Sequence, residues 1–359
     1  MDFTGGFKPS FPELLTFGAL ISATDPVSTL AVFQQKRVDP KLFYLVFGES
    51  VLNDAVGLVL FNTFAKFVGQ ENTLYSSSKG ALFFLIDFCI SFVGSLFLGL
   101  LSGIVAGYIL KVADMRHTRL LELSSYILIM YAPFFAAEVL PFSGIVTSLF
   151  TGIAAKQYAE PNLSPQTAQD ADLIFRVIAH LAETSLFLEL GLSVFGLAFG
   201  NFYPLFVLFA IIGCLIGRLV NIYPMTFFFN KSTRNVTTSA EDPEDIHSTD
   251  MSADGRTITQ RINLNTAHML WFSGLRGAVA YGCAKSFPNN NLNRAPFVVT
   301  TMVIILLTVF LLGGTTEYVL HKLNIEMNVD ENTFISDGHS FPQNSIIDKF
   351  GKYFMTGIC

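Results

Sequence analysis

The chain has 359 residues, of which 51% are hydrophobic and 14% are charged, and its mean hydropathy is +0.50. A soluble domain carries about 25% charged residues, so this composition excludes an ordinary soluble protein and predicts an all-α polytopic protein of the lipid bilayer. The net charge of −6 indicates no particular partner.

Apolar stretches long enough to cross about 30 Å of hydrocarbon predict about nine transmembrane helices. In chain order they cover approximately residues 12–35, 42–68, 81–110, 120–140, 142–158, 173–199, 203–229, 264–287 and 296–320. We expect residues 1–323 to form the transmembrane domain. Residues 230–263 are rich in Ser, Thr, Asp and Glu and are predicted to form a disordered loop, and residues 324–359 a polar tail.

The distribution of Lys and Arg predicts the orientation of these helices. Twelve Lys and Arg follow predicted helices 1, 3, 5, 7 and 9, whereas five lie on the opposite side. The positive-inside rule therefore places the first set of loops and the tail in the cytosol, and the N-terminus outside. Residues 1–12 lack the features of a secretory signal, so we expect the natural protein to begin further upstream.

The first predicted helix is interrupted by the sequence Ser-Ala-Thr-Asp-Pro at residues 22–26. Pro26 removes one backbone hydrogen bond and disfavours helical geometry at the preceding residue, Asp25. We therefore expect Thr24 and Asp25 to lie on a broken helix.

The second predicted helix carries four polar residues within its apolar run, namely Glu49, Ser50, Asn53 and Asp54. At about 100° per residue, Glu49 and Asn53 share one helix face, and Ser50 and Asp54 share the adjacent face. An ionisable group at membrane depth costs about 2.5–3.5 kcal/mol on insertion scales, so such residues indicate a functional site.

Oxygen atoms from these two helices could together surround a small hard cation. The candidate ligands are the Thr24 carbonyl, the Asp25 and Asp54 carboxylates and the Ser50 hydroxyl. The alternative is that each carboxylate is a buried structural group. Asp25, Glu49 and Asp54 place three carboxylates in two adjacent helices, which favours a functional site.

Two arginines in later apolar runs are candidates to compensate the buried negative charge. They are Arg218 in Ile-Gly-Arg and Arg276 in Gly-Leu-Arg-Gly. Each could instead be a structural arginine near a helix end, and spacing alone does not decide which carboxylate each one pairs with. The glycines on both sides of Arg276 indicate close backbone approach or a second distorted helix.

Four motifs in this order carry a resemblance to a known family. They are Ser-Ala-Thr-Asp-Pro-Val at 22–27, Phe-Gly-Glu-Ser-Val-Leu-Asn-Asp-Ala-Val at 47–56, Ile-Gly-Arg at 216–218 and Gly-Leu-Arg-Gly-Ala-Val-Ala at 274–280. Over about residues 12–320 the chain resembles eukaryotic sodium–proton exchangers of the cation–proton antiporter family. Segments 142–153 and 180–193 are similar to the intracellular branch, found in the Golgi and endosomes.

The resemblance implies a domain of thirteen transmembrane helices that forms a homodimer, with a core domain moving against a dimerisation domain. It also implies that the first four helices of the family are absent from this chain. The broken helix near 24–26 is expected to cross a second broken helix near 274–277, which contains Arg276.

The resemblance further implies roles for individual residues. Asp54 matches the carboxylate that exchanges the proton and the cation, and Asp25, Thr24 and Ser50 are implied to help coordinate Na⁺ or K⁺. Asn53 matches the asparagine that marks electroneutral members of the family.

The resemblance implies a structural role for Glu49 and Arg218. Glu49 matches the glutamate that pairs with the helix arginine, which is Arg218 here.

These observations predict a secondary transporter, and not an enzyme, that exchanges Na⁺ or K⁺ for H⁺ by alternating access. We expect no nucleic-acid partner and no cofactor. The four cysteines have neither metal-ligand nor disulfide spacing. A non-transporting pseudo-exchanger or membrane subunit is one alternative, favoured by the missing helices. An intramembrane aspartyl protease is another because it needs two aspartates, but its Gly-x-Gly-Asp signature is absent and Asp25 precedes a proline.

Overall fold

The structure is a computed structural model that describes residue 7 and residues 9–69, 78–113, 115–195, 202–239, 262–288 and 293–329. All regular elements within these ranges are helical, which confirms the predicted all-α class. The helices are α1 (Phe11–Ser22), α2 (Val27–Lys36), α3 (Pro40–Ala65), α4 (Ser78–Ala113), α5 (Arg119–Val139), α6 (Gly144–Tyr158), α7 (Pro165–Phe195), α8 (Pro204–Ser239), α9 (Leu264–Phe272), α10 (Ala278–Lys285), α11 (Arg294–Thr308) and α12 (Gly314–Lys322).

Within the described ranges, seven helical segments are long and apolar enough to cross a membrane. They are Phe11–Lys36, Pro40–Ala65, Leu82–Ala113, Arg119–Val139, Pro165–Phe195, Pro204–Lys231 and Arg294–Lys322. The predicted count of nine is not confirmed. The difference lies in α6, which has 15 residues, and in α9 and α10, which have 9 and 8 residues and are separated by a break.

Both predicted helix breaks are present. The first helix stops at Ser22 and resumes as α2 at Val27, so that residues 23–26 are non-helical. The second break separates α9 from α10 and covers residues 273–277. Proline explains the first break and the glycine-rich sequence explains the second, as expected from their effects on helix stability.

The helices form two groups, which are joined by α7 and by the packing of α3 against α4. In the first group α4 packs along α6, and α5 contacts both of them. The second group contains both broken helices, with α1 packed on α3 and α10 in contact with α1, α3 and α11. Helix α7 contacts α5 in the first group and α10 in the second. Helix α8 contacts α9 and α11, so the candidate site residues all belong to the second group.

Close packing in the first group depends on small residues of α4. Gly99, Gly103 and Gly107 repeat every four residues, and a Cβ atom on any of them would collide with α6. Small residues at this spacing let two membrane helices approach closely without a side chain between them.

The membrane-crossing segment Arg294–Lys322 contains a π-helical turn. The segment Val309–Gly313 joins α11 to α12, and the two helices with this segment form one apolar span. The π segment and α12 both contact α2, which is the second half of the first broken helix.

The structure describes the first residues of the predicted loop and of the predicted tail, and those of the loop are helical. Helix α8 continues to Ser239, ten residues into the segment predicted as loop 230–263, and residues 240–261 lie outside the described ranges. Asn230 and Ile262 exchange two hydrogen bonds of 2.9 Å, so the two ends of the loop meet. In the tail, residues 324–329 run beside the turn between α2 and α3. The backbone N–H of Asn328 donates to the Lys36 carbonyl there, at 3.0 Å. Residues 330–359 lie outside the described ranges.

Candidate cation and proton site

The carboxylate of Asp25 lies where the two broken helices cross. Its Oδ1 accepts the backbone N–H of Val27, the first residue of α2, at 3.2 Å. Its Oδ2 accepts the backbone N–H of Ala278, the first residue of α10, at 3.3 Å. A carboxylate stabilises helix N-termini because their N–H groups are unpaired and carry partial positive charge. Asp25 therefore caps two half-helices that are about 250 residues apart in sequence.

The backbones of the two breaks are also bonded directly. The N–H of Asp25 donates to the carbonyl of Leu275 at 3.0 Å. Gly277 permits this approach because a Cβ at that position would overlap the Asp25 side chain. Its φ of −133° is available to any residue, so the requirement for glycine here is steric.

The polar face of α3 lies against the first break. The Ser50 hydroxyl donates to the Thr24 carbonyl. The Asn53 amide donates to the Thr24 hydroxyl and to Glu49 Oε1, both at 3.3 Å. Thr24 is 4% exposed and Ser50 is 7% exposed, so these contacts are shielded from the surroundings. These hydrogen bonds fix the position of Thr24 relative to the polar residues of α3.

Asp54 differs from Asp25 in its hydrogen bonding. Its Oδ1 is buried, and no described residue donates a hydrogen bond to it. The backbone N–H of Thr24 lies near the Asp54 carboxylate, which is also within electrostatic range of Asp25 and Arg276. A buried carboxylate oxygen without a donor is expensive to leave unpaired, so it can accept a proton or coordinate a cation at lower cost than Asp25 can.

Glu49 and Arg218 form an ion pair between α3 and α8. Arg218 Nη1 is 3.0 Å from Glu49 Oε1, and Nη2 is 3.1 Å from Oε2. Arg218 also donates to the carbonyls of Trp271, at 2.9 Å, and of Leu270. These carbonyls belong to the last turn of α9, where a cation is favoured by the helix dipole. Gly274 gives the guanidinium room, since a Cβ there would overlap it.

Arg276 bonds carbonyls at the C-terminal end of α1, as Arg218 does at the C-terminal end of α9. Its Nη1 donates to the carbonyls of Ser22 and Ala23 at 2.9 and 3.3 Å, at the end of α1. Its backbone N–H donates to the Thr308 hydroxyl of α11 at 3.2 Å. Arg276 is 6% exposed, and its described guanidinium partners are carbonyl groups and no carboxylate.

The structure thus brings all eight predicted site residues to one crossing, and it adds partners that the sequence did not indicate. Seven of these partners are backbone groups: the carbonyls of Ser22, Ala23, Leu270, Trp271 and Leu275 and the N–H groups of Val27 and Ala278. Backbone groups carry no residue-type signal. A further partner, Thr308, is one of many threonines in apolar runs and has no motif around it.

A buried carboxylate beside two broken, mutually capped helices is the arrangement of an ion-translocating membrane protein. The chain belongs to the sodium/hydrogen exchanger family, because the family model described as "Sodium/hydrogen exchanger, transmembrane" matches residues 1–322.

Individual relatives agree with this family. The chain is 36% identical to sodium/hydrogen exchanger 8 of Homo sapiens over 321 residues, covering 89% of this chain and 51% of the relative. It is 35% identical to the endosomal/prevacuolar sodium/hydrogen exchanger of Saccharomyces cerevisiae over 317 residues, covering 88% and 48%. The chain therefore spans about half the length of these curated relatives.

A solved structure shares the fold. The sodium proton antiporter of Methanocaldococcus jannaschii at pH 8 superposes with a TM-score of 0.57, covering 88% of this chain and 71% of that chain. The sequence identity is 19%, so this similarity establishes the fold alone.

Proposed function

We propose that this chain carries the ion-binding site of a secondary transporter that exchanges Na⁺ or K⁺ for H⁺ by alternating access. The observation that supports it most directly is the buried Asp54 Oδ1, which accepts no hydrogen bond from the described residues while both oxygens of Asp25 do. Family membership and the names of the relatives, which are sodium/hydrogen exchangers, support the same activity.

In this mechanism the proton and the cation compete for Asp54. The Thr24 carbonyl and the Ser50 hydroxyl, which lie in contact, supply further oxygen ligands, and Asp25 supplies negative charge at the crossing. Only the occupied site is neutral enough to move past a hydrophobic barrier, because a net charge in hydrocarbon is costly. Competition for one carboxylate then makes exchange obligatory.

The charges at the crossing support a stoichiometry of one cation for one proton. Among the eight predicted site residues, Asp25, Glu49 and Asp54, when ionised, exceed Arg218 and Arg276 by one negative charge. One Na⁺, K⁺ or H⁺ cancels that charge, so the loaded site is neutral with either ion. Exchange would therefore be electroneutral.

The cellular setting is proposed from the relatives. One relative is named endosomal/prevacuolar, which supports an intracellular membrane of the Golgi or endosomal system for this chain. We also propose that the chain forms a homodimer and that its tail lies in the cytosol. Family membership favours neither the pseudo-exchanger nor the intramembrane protease.

Removal of the Asp54 charge tests the proposed function. Asp54→Asn leaves a side chain that neither takes up the proton nor neutralises the cation, so cation-driven pH recovery in reconstituted vesicles should fall to background. Asp172→Asn is the matched control, because Asp172 is exposed and its ion-pair partner among the described residues is Arg176, one turn away on α7. Retention of a substantial rate by Asp54→Asn, at a protein level equal to that of the control, would refute the proposal.

A further inference from the structure

The last residue of α11, Thr308, lies at the point where the helix changes from α to π geometry. π-Helical turns inside α-helices occur frequently at functional sites. The Thr308 hydroxyl donates to the Ile305 carbonyl of its own helix at 3.1 Å and accepts the backbone N–H of Arg276 at 3.2 Å. One hydroxyl thus connects this helix to the second break.

The N–H of Arg276 needs such a partner because the break removes its intrahelical acceptor. The N–H groups of neighbouring residues bond to groups in the two breaks. Leu275 donates to the Ser273 carbonyl at 2.9 Å, and Ala278 donates to Asp25. Arg276 instead depends on a side chain from a third helix.

The position of the Arg276 backbone decides where its side chain can reach. Its guanidinium bonds the carbonyls of Ser22 and Ala23, which directly precede Thr24 and Asp25. A displacement at Arg276 would therefore be transmitted to the ligands of the first break. The same span also contacts α2 through its π segment, where Gly313 faces Ser28.

We propose that Thr308 is a positioning residue of the cation site: by binding the Arg276 N–H, it holds the arginine that caps α1 beside Thr24 and Asp25. This inference rests on the proposed exchange function for its kinetic consequence. Its structural part, the anchoring of Arg276, stands without it.

The test compares three variants of the reconstituted protein. Thr308→Val keeps the shape of the side chain and removes the hydroxyl, whereas Thr308→Ser keeps the hydroxyl. Thr301→Val is the matched control, because Thr301 is buried on the same helix and, within the described part of the chain, its hydroxyl bonds the Phe297 carbonyl of that helix alone, at 2.9 Å.

Two readouts are measured for each variant. The first is deuterium exchange of the peptide that contains the Arg276 amide, and Thr308→Val should accelerate it while Thr308→Ser and Thr301→Val do not. The second is the cation concentration that half-saturates exchange. It should rise about fivefold to tenfold in Thr308→Val, which corresponds to about 1–1.4 kcal/mol for one lost hydrogen bond, with the maximal rate per folded protein retained.

The readouts separate this inference from the proposed function. Absence of exchange in the unmodified protein would refute the function, whereas deuterium exchange would still decide whether Thr308 anchors Arg276. Equal behaviour of Thr308→Val and Thr301→Val in deuterium exchange overturns the inference. So does failure of Thr308→Ser to restore protection, or a fall in maximal rate with an unchanged half-saturating concentration.

Discussion

The Glu49 carboxylate and the Arg218 guanidinium face each other with two parallel contacts, of 3.0 and 3.1 Å. Only 21% of the Glu49 side chain and 8% of the Arg218 side chain are exposed. Such bidentate pairs are stronger and more directional than pairs with a single contact. Because Arg218 also caps α9, the pair joins α3, α8 and the second broken helix.

Loss of either partner of this pair should strongly destabilise the protein. Breaking a buried ion pair costs about 3–5 kcal/mol because one charge is left uncompensated, so Glu49→Gln and Arg218→Ala should each lower the amount of folded protein. The double variant should lose less than the sum of the two single losses. Thermal unfolding of the four proteins of the cycle, purified in the same detergent, measures this coupling.

The exposed pair Asp172–Arg176 provides the control cycle, with an expected coupling of about 0–1 kcal/mol. Additive losses at Glu49 and Arg218 would mean that the two side chains do not interact in the folded protein.

The close approach of Gly277 to Asp25 leads to a second prediction. Gly277→Ala inserts a methyl group into the Asp25 side chain and should displace the carboxylate from the α10 N-terminus, at a cost of about 1–3 kcal/mol for overpacking. Both thermal stability and the exchange rate should fall. Gly282→Ala on α10 is the matched control, since its Cβ would meet no atom within 4 Å and alanine has the higher helix propensity.

Thermal unfolding and vesicle exchange assays of the two alanine variants decide this prediction. Gly282→Ala should equal or exceed the unmodified protein in stability. If Gly277→Ala behaves in the same way, the two broken helices do not approach each other as closely as the structure has them.

The sequence was sufficient for the two breaks because proline and flanking glycines act locally on the helix. The polar face of α3 was predictable for the same reason, since its residues repeat with the helical period. The contacts between the breaks were not predictable from composition or periodicity. They join Asp25 to the backbone of Leu275 and Ala278, and only the folded chain brings these groups together.

The partners of the two arginines show the same limit. Spacing left open whether Arg276 compensates a carboxylate, and in the structure its guanidinium bonds carbonyls at the end of α1. Half-helix C-termini attract cations as carboxylates do, so charge alone could not distinguish the two. The helix count differed because α6 has only 15 residues and because the break at residues 273–277 leaves α9 and α10 with 9 and 8 residues.

Asn53 carries the last prediction, which concerns membrane voltage. Its amide donates to Thr24 and Glu49, so this position adds hydrogen-bond donors and no titratable group beside Asp54. With one net charge to cancel, one monovalent cation replaces one proton and the cycle moves no charge. The work of moving charge, about 2.3 kcal/mol per elementary charge at 100 mV, applies only to net movement. Addition of valinomycin at a fixed K⁺ gradient changes the potential and leaves the ion gradients as they were. It should therefore leave the rate of Na⁺/H⁺ exchange in reconstituted vesicles unchanged, after subtraction of the proton leak measured with Asp54→Asn. A rate that changes with the sign and size of the potential would show net charge movement, and the one-for-one stoichiometry would then be wrong.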